Sequence, residues 1–367
     1  MKGTTVLNRR VRQAGTAAGF SWISLCAAAW LSCAIVTPAS AQTAAPPITI
    51  GGGLRTSFVH TAPQDADSTD KFQLDDIRLY VNGTVTPFIK VMFNTDYSSI
   101  TNEVNVLDAV GRFEFSNKVN FWVGRFLPPS DRANLYGPFY SHHWAVFVDG
   151  VQDGYPFIYQ GRDNGVAYWG QFGKVKLSGG IFDGESATGD DTVLSAGRVQ
   201  VDFWDAEGGY YLNGTYYGDK NLLAIGAAGQ VQGSEKTAGS IDFLLERKLG
   251  SAGAVSVEAE WARYHNLGGY PSPTPNGGYS LLDGGYVLGS YLFPKPAGPG
   301  KFELLGKFAR AKYQEGVIVD DVQKTSEFNF NYVIKQFDAR IMFFYLDTRF
   351  DLAPDSKKVG VGFQLQM

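Results

Sequence analysis

Cysteine, histidine and long apolar runs are all scarce in this 367-residue chain. Its only two cysteines, Cys26 and Cys33, lie within the first forty-one positions, so the rest of the chain can form no disulfide and no thiolate metal site. After that point no uninterrupted apolar run reaches the roughly 18 residues that a membrane-spanning helix needs. Four histidines leave a thin inventory for acid–base catalysis. These absences exclude a disulfide scaffold and a helical membrane protein.

The N-terminus has the three parts of an export signal. Four basic residues without an acidic one precede an apolar run over 17–36, and Ala39-Ser40-Ala41 follows as a small-residue cleavage site. We predict a signal peptide at 1–41 and a single mature domain at 42–367. A lipoprotein signal ending at Cys33 is disfavoured because Trp30 stands where a small aliphatic residue is required. An uncleaved anchor is disfavoured by the cleavage site.

The charge balance bears on which partners the chain can take. Cleavage before Gln42 would lower Lys+Arg from 32 to 28 against 36 Asp+Glu, which changes the net charge from −4 to about −8. A chain this acidic is a poor nucleic-acid binder. Glycine (44 residues) and aromatics (26 Phe, 19 Tyr and 7 Trp) are abundant. An exported chain of this composition is either a secreted β-protein or an outer-membrane barrel.

Period-2 alternation of apolar and polar residues recurs along the chain and is typical of β-strands. In VGVGFQLQM, residues 359–367, one face is apolar and the other carries glycine and glutamine. We predict sixteen strands, at 48–60, 72–85, 88–97, 104–115, 119–126, 164–172, 174–183, 194–203, 221–231, 238–248, 254–265, 280–292, 301–313, 325–333, 337–347 and 359–367.

The connections between these segments mostly alternate between short and long. Short ones such as TPF, SNK, GSAG and KQ fall between longer, more polar ones, while 205–219 is long where a short turn is expected. Strands of about ten residues with this alternation predict an all-β fold, a transmembrane antiparallel β-barrel. Sixteen strands leave room for an aqueous channel. A soluble lectin-like or glycosidase-like domain is the alternative, but it needs a packed core and one face of these strands is polar.

Three stretches carry a family resemblance. FQLDDIRLYVNG, then NVLDAVGRFEFSNKVNFWVGRFLPPS, then GRDNGVAYWGQFGKVKLSGGIFDGE resemble, in order and spacing, the phosphate-selective porin O and P family. The resemblance spans about 48–367 and is clearest over 72–185. It implies a sixteen-stranded trimeric channel in the bacterial outer membrane. In phosphate-specific members, an arginine- and lysine-lined path leads to a constriction shaped by the third loop.

The segment 127–163 corresponds to that third loop. Connections this long are usually functional or disordered, and its many aromatic residues argue against disorder. The resemblance implies that it folds into the lumen, although packing over the rim or at a subunit contact remains open. Inside the lumen it would present to a passing solute the side chains of Asp131, Arg132, His142, His143, Asp149 or Asp153.

Two adjacent carboxylates, Asp75 and Asp76, lie within a predicted strand. Because side chains alternate between the faces of a strand, we expect them to point apart, which rules out a catalytic dyad. Asp76 would share the lumen face with Arg78, where it either pairs with a basic group or takes part in ion selection. Asp75 would share the apolar face near the extracellular end or a subunit contact. Phosphate-selective members carry a basic pair here, so the two carboxylates argue against phosphate.

Parity assigns other charges to the lumen face. The early strands are locally positive and strands ten and eleven are negative, an arrangement that would set an electric field across the pore. Any single one of these residues is more often a solvated charge on the wall than a binding group. The adjacent histidines could bind a metal, line the constriction or pack within the loop. The candidate pore-lining residues are Asp76, Arg78, Lys90, Asp108, Arg112, Arg132, His142, His143, Lys174, Lys176 and Arg198.

Together these features predict a passive channel for small hydrophilic or ionic solutes, with anions such as phosphate as one candidate. We expect outer-membrane lipid and a homotrimer as partners, and no cofactor, metal, nucleic acid or enzymatic activity. Two alternatives stay open. One is a barrel enzyme whose turnover depends on His142 or His143, and the other is a structural or adhesive barrel without channel activity.

Overall fold

The computed structural model describes residues 47–98, 102–146, 148–151, 161–184, 192–267, 281–315 and 319–367. The predicted signal peptide and Asp153 lie outside these ranges. The strands are β1 (Ile48–Pro63), β2 (Thr69–Thr86), β3 (Ile89–Ser98), β4 (Glu103–Glu114), β5 (Asn120–Phe126), β6 (Asp163–Phe172), β7 (Val175–Phe182), β8 (Leu194–Asp202), β9 (Leu222–Gln232), β10 (Lys236–Lys248), β11 (Ala254–His265), β12 (Leu281–Leu292), β13 (Lys301–Glu315), β14 (Val319–Lys335), β15 (Ala339–Phe350) and β16 (Ser356–Gln366).

The strands close into one antiparallel barrel. Each strand pairs with its neighbours in the chain, and β1 pairs with β16 from Gly53↔Gln366 to Pro63↔Ser356. Closure leaves no sheet edge without a partner, which is the condition for a sheet to stand in lipid. The sixteen predicted strands are confirmed. Most of their ends agree within three residues, and β14 differs most because it begins at Val319 rather than at 325.

The alternation in the sequence becomes an apolar outside and a polar inside. On β14, Glu327 and Asn329 are buried within the barrel while Phe328 is 52% exposed on the outside. On β15, Arg340 is buried while Phe343 is 50% exposed. An apolar belt around a polar interior is the pattern of barrels that stand in a bilayer.

Two β-bulges correct the assignment of side chains by parity. The first bulge lies on β2. Arg55 of β1 pairs with Asp76 of β2, and the next residue of β1, Thr56, pairs with Leu74, so Asp75 is an extra residue in the ladder. Gln73 donates to both Asp75 and the buried Ser57, which places Asp75 on the inner side with Asp76. The expectation that the two carboxylates face apart was therefore wrong, because an inserted residue shifts the phase of the alternation.

The second bulge lies on β4. Asn94 pairs with Asp108 and Thr95 with Val106, so Leu107 is the extra residue. Simple alternation with the inward-facing Asp108 would place Leu107 on the outer face, but Leu107 is buried at 1% exposure, as is Asp108.

Two long connections between strands lie at opposite rims of the barrel. The third loop, 127–162, joins β5 to β6 and contains a short helix, α1 (Arg132–Tyr136), and a 3-10 turn at Pro138–Tyr140. The β8–β9 segment, 203–221, lies at the rim of the short turns, one of which contains a 3-10 turn at Gly250–Ala252. None of the helices in the described ranges is long and apolar enough to span a membrane.

Candidate functional site

Helix α1 anchors the third loop to the barrel wall. Asp131 caps it by accepting hydrogen bonds from the backbone N–H and the side-chain amide of Asn134, at 2.8 and 2.6 Å. The Tyr136 hydroxyl donates to Glu258 of β11 at 2.9 Å, and the Arg132 Nε lies 3.7 Å from Asp242 of β10. The helix is therefore held by inward-facing side chains of β10 and β11.

The two adjacent histidines anchor the next part of the loop. Both are fully buried, with His142 Nδ1 3.6 Å from Glu303 and His143 Nδ1 3.0 Å from Glu327. Glu327 also accepts the backbone N–H groups of Trp144 and Ala145, each at 3.0 Å. In the described part of the chain, no group of three or more His, Cys, Asp or Glu side chains could hold a metal ion. The geometry corresponds to a packing role, in which the two histidines hold the loop against β13 and β14.

Basic side chains complete the seat of the loop on β15 and β1. Arg340 donates to the carbonyl oxygens of Ser141 and Phe139. Arg55 donates to the Trp144 carbonyl at 2.9 Å, and its guanidinium lies 4.1 Å from the centroid of the Trp144 ring. Both guanidinium groups are therefore engaged, Arg340 by backbone carbonyls and Arg55 by a carbonyl and an aromatic ring, and neither is a charge without partners.

The β8–β9 segment packs against the third loop. The Leu212 N–H donates to the Leu135 carbonyl at 3.2 Å, and the Gly214 N–H donates to the Tyr140 carbonyl at 2.9 Å. Farther along, Glu246 of β10 accepts the N–H groups of Tyr216 and Gly218 at 2.7 and 2.6 Å. Two connections from opposite rims thus contact each other through backbone hydrogen bonds.

Glu207 is the buried link between these two connections. Its carboxylate receives both terminal nitrogens of Arg132, at 2.9 and 2.5 Å, and both side chains are completely buried. Gln200 and Tyr216 also donate to it, at 2.8 and 2.9 Å. Burial alone would raise the pKa of Glu207, but the charge of Arg132 and its hydrogen bonds outweigh burial and lower the pKa to about 2.

Two more predicted pore-lining groups belong to this link. The Lys176 ammonium donates to the carbonyl oxygens of Glu207 and Gly209, at 2.9 and 3.2 Å. Arg198 of β8 forms a buried ion pair with Asp242 of β10. At this point one positive charge of the early strands and one negative charge of strand ten therefore neutralise each other, instead of facing each other across open space.

A cavity of about 480 Å³ lies between β1–β4 on one side and the two connections on the other. Its lining includes Arg78 and Asp108 from the predicted set, together with Arg162, Tyr211 and Asn213. The remaining lining residues are Thr49, Ile50, Gly51, Tyr80, Asn82, Met92, Asn94, Asn134, Leu135, Tyr136, Tyr140, Leu212 and Met367.

Charges that line this cavity, and charges beside it on β1 and β2, are compensated in pairs. Asp76 binds Arg55 at 2.9 Å, and Arg78 lies 3.4 Å from Asp96. Asp108 accepts from Arg162 at 3.3 Å.

Two further predicted basic residues, on β3 and β4 but outside the cavity lining, share one carboxylate. Lys90 and Arg112 lie 2.7 and 3.9 Å from Glu114. Lys174, by contrast, is exposed at the short turn between β6 and β7. The structure thus brings Arg78 and Asp108 to the cavity, and Arg132, Lys176 and Arg198 to the buried link.

Sequence reasoning missed three residues that shape this interior: Glu207, Tyr211 and Arg162. The sequence signal for the first two is the unexpected length of 205–219. Tyr211 donates to Asp108 at 3.0 Å, so this segment reaches β4 as well as the third loop.

Comparison with known proteins supports the fold. No family model matches the chain, and no curated protein matches it. Among solved structures, it is similar to OmpF of Salmonella typhi in complex with daunomycin (TM-score 0.57, 10% identity, covering 87% of this chain and 98% of that one). It is also similar to an anion-selective porin from Comamonas acidovorans (0.54, 16%, 88% and 99%) and to the trimer form of OmpT, an outer membrane protein of Vibrio cholerae (0.53, 12%, 88% and 100%). At these identities the likeness establishes a sixteen-stranded porin-type barrel.

Proposed function

We propose that this protein is a channel of the bacterial outer membrane through which small hydrophilic or ionic solutes diffuse passively. The single observation that carries the proposal is the cavity beside β1–β4, a space lined by both polar and apolar side chains inside a closed barrel whose outer face is apolar. Solutes cross next to Arg78 and Asp108. Purified protein in planar lipid bilayers is expected to give ohmic single-channel currents, and inserted protein without conductance would refute the proposal.

The constriction of this channel is formed by the third loop folded into the lumen and by the β8–β9 segment packed against it. Contacts of the loop with Glu258, Glu327 and Arg340 support this position, because these side chains belong to the buried face of their strands. The two connections pack mainly against β7–β16 and also contact β1 and β4, and the proposed passage is the cavity that remains between them and β1–β4.

Selectivity for phosphate is weak in this proposal. A path for a dianion requires an excess of basic groups, whereas Arg78 and Arg162, the basic residues that line the cavity, each have a carboxylate partner. The second carboxylate at the β2 bulge, Asp75, adds a negative charge close to Arg55. The resemblance to the phosphate-selective porins therefore extends to the architecture of the barrel but not to its ion path. A reversal potential close to zero in a KCl gradient is the expected result.

A homotrimer is the proposed assembly, supported by the likeness of the fold to the trimer form of OmpT. Mild detergent extraction followed by size determination should give three copies per particle. A monodisperse single barrel that still conducts would refute the trimer and leave the channel intact.

An enzyme remains the second class to test, through the histidines. Both side chains are buried against carboxylates and lie apart from the cavity lining, which supports an anchoring role over a catalytic one. His143→Asn is expected to change conductance, with lipid or glycan turnover absent in both forms. Turnover that is lost in this variant would favour the barrel enzyme.

A further inference from the structure

The chemistry of the cavity wall indicates which solutes it favours, provided that the proposed channel function holds. Amide and phenol groups dominate its polar lining, among them Asn82, Asn94, Asn134, Asn213 and Tyr211. The charged groups that line the cavity are each engaged by an opposite charge: Arg78 by Asp96, and Arg162 by Asp108. The passing solute therefore meets neutral donors and acceptors within a wall of balanced charge.

Three of these amides are held in fixed orientations by neighbouring groups. Asn134 uses its NH₂ to donate to Asp131 at 2.6 Å, which turns its carbonyl oxygen away from that bond. Asn94 uses its NH₂ to donate to Asp108 at 2.8 Å, and its carbonyl oxygen is buried, so it fixes the wall without offering an acceptor. Asn82 is oriented the other way, because its oxygen accepts from Arg112 at 3.5 Å and its NH₂ remains as a donor. Donors and acceptors are thus both presented, and neighbours preorganise them.

Hydroxyl groups match such a wall because each one both donates and accepts a hydrogen bond. The volume of about 480 Å³ lies within the range of about 300–1,000 Å³ typical of small-molecule sites. We infer that the constriction favours neutral, polyhydroxylated solutes, the chemical class of sugars and polyols, over anions such as phosphate and over cations of equal size.

Liposome swelling with three solutes of nearly equal size tests this inference. Glucose is neutral, gluconate is an anion and glucosamine is a cation, so their relative rates report charge preference at constant dimensions. Glucose is expected to permeate wild-type proteoliposomes at least threefold faster than gluconate, and faster than glucosamine. Inorganic phosphate should not reduce single-channel current at concentrations at which glucose does.

Two variants place a carboxylate in the cavity without changing side-chain size. Asn213→Asp alters a side chain that makes no hydrogen bond to other described residues, and Asn82→Asp gains a charged partner in Arg112. Each should raise the rate ratio of glucosamine to gluconate about sixteenfold, because one unit charge at about 5 Å in water changes each rate about fourfold and in opposite directions. Asn117→Asp makes the same change at an exposed turn and should leave the ratio unchanged.

The outcomes separate this inference from the channel proposal. If no solute permeates and no current flows, the channel itself is refuted. If the protein conducts but gluconate or phosphate permeates faster than glucose, the preference for neutral solutes is wrong and the channel stands. If Asn117→Asp shifts the ratio as much as the cavity variants do, general surface charge accounts for the effect and the assigned site is wrong.

Discussion

Replacing Glu207 by Gln tests whether the β8–β9 segment holds the third loop in place. The Glu207–Arg132 pair is completely buried, with two contacts of 2.9 and 2.5 Å. Removing one partner of a buried ion pair typically costs about 3–5 kcal/mol, because the remaining charge loses its compensation. For Glu207→Gln we expect a cost of about 3 kcal/mol, because the amide oxygen still accepts one hydrogen bond from Arg132 and Asp242 lies 3.7 Å from that guanidinium.

A cost of this size raises the population of undocked segment more than about a hundredfold. Single-channel recordings of Glu207→Gln should therefore show a second, larger conductance level and greater open-channel noise, while strand content is unchanged. Lys335→Gln is the matched control, because it removes an exposed pair with Asp338 at 3.0 Å and should leave the recordings as in wild type.

Replacing both partners sharpens the test. The double variant Arg132→Met with Glu207→Met removes both buried charges and leaves neither uncompensated. Its open-channel noise should therefore be lower than that of Arg132→Met alone or of Glu207→Met alone. Identical conductance and noise in wild type and Glu207→Gln would refute the idea that this pair fixes the constriction.

Acid titration gives a second measure of the same pair. Because the pKa of Glu207 is lowered to about 2, its contribution to docking is fully present above the ordinary pKa of 4.5. That contribution is lost as the pH falls from there through about 2. Wild-type noise should increase over this range, and Glu207→Gln should lack that part of the pH dependence.

Three further predictions concern other buried charges. Burial raises the pKa of Asp131 to about 6, so the stability that this group contributes is fully present below its ordinary pKa of 3.8 and is lost as the pH rises from there through about 6. The wild-type thermal midpoint should therefore fall across this range of pH, more than that of Asp131→Asn, which keeps a cap acceptor. Arg55→Met leaves Asp75 and Asp76 without their basic neighbour and should lower the unfolding free energy by about 3–5 kcal/mol in urea titration, whereas Arg349→Met, an exposed site, should not. Asp76→Arg should shift the reversal potential in a KCl gradient toward anions, and an equal shift for the exposed Asp67→Arg would contradict a role for the cavity wall.

The barrel was predictable from the sequence because alternation is a local property of each strand. The sequence also contains a signal for the β2 bulge. Assigning faces by alternation from Asp76 onward misses this signal, because it lies before Asp76. Phe72 and Leu74 occupy even positions, whereas Ile77 and Leu79 occupy odd ones, so the apolar phase changes across the two carboxylates. An inserted residue produces this change. Reading the phase on both sides of Asp75 would have placed that side chain inside.

The interior was less predictable because its contacts join residues far apart in the chain. Arg132 and Glu207 are 75 positions apart, and His143 and Glu327 are 184 apart. No periodicity links such pairs, and each charge taken alone is compatible with a solvated wall. The length of 205–219 indicated an unusual connection, but its docking on the third loop depends on Leu212 and Gly214 backbone groups, which carry no signal in the sequence.

Residues 47–367 contain no cysteine, so a single introduced thiol can report directly on the passage. Asn213→Cys lies on the cavity wall, and Phe343→Cys lies on the outer apolar face. The central claim is that solutes pass between β1–β4 and the two docked connections. It predicts that a water-soluble methanethiosulfonate reagent reduces the single-channel current of Asn213→Cys by more than half and leaves Phe343→Cys unchanged. Complete labelling of Asn213→Cys with no change in current would contradict it.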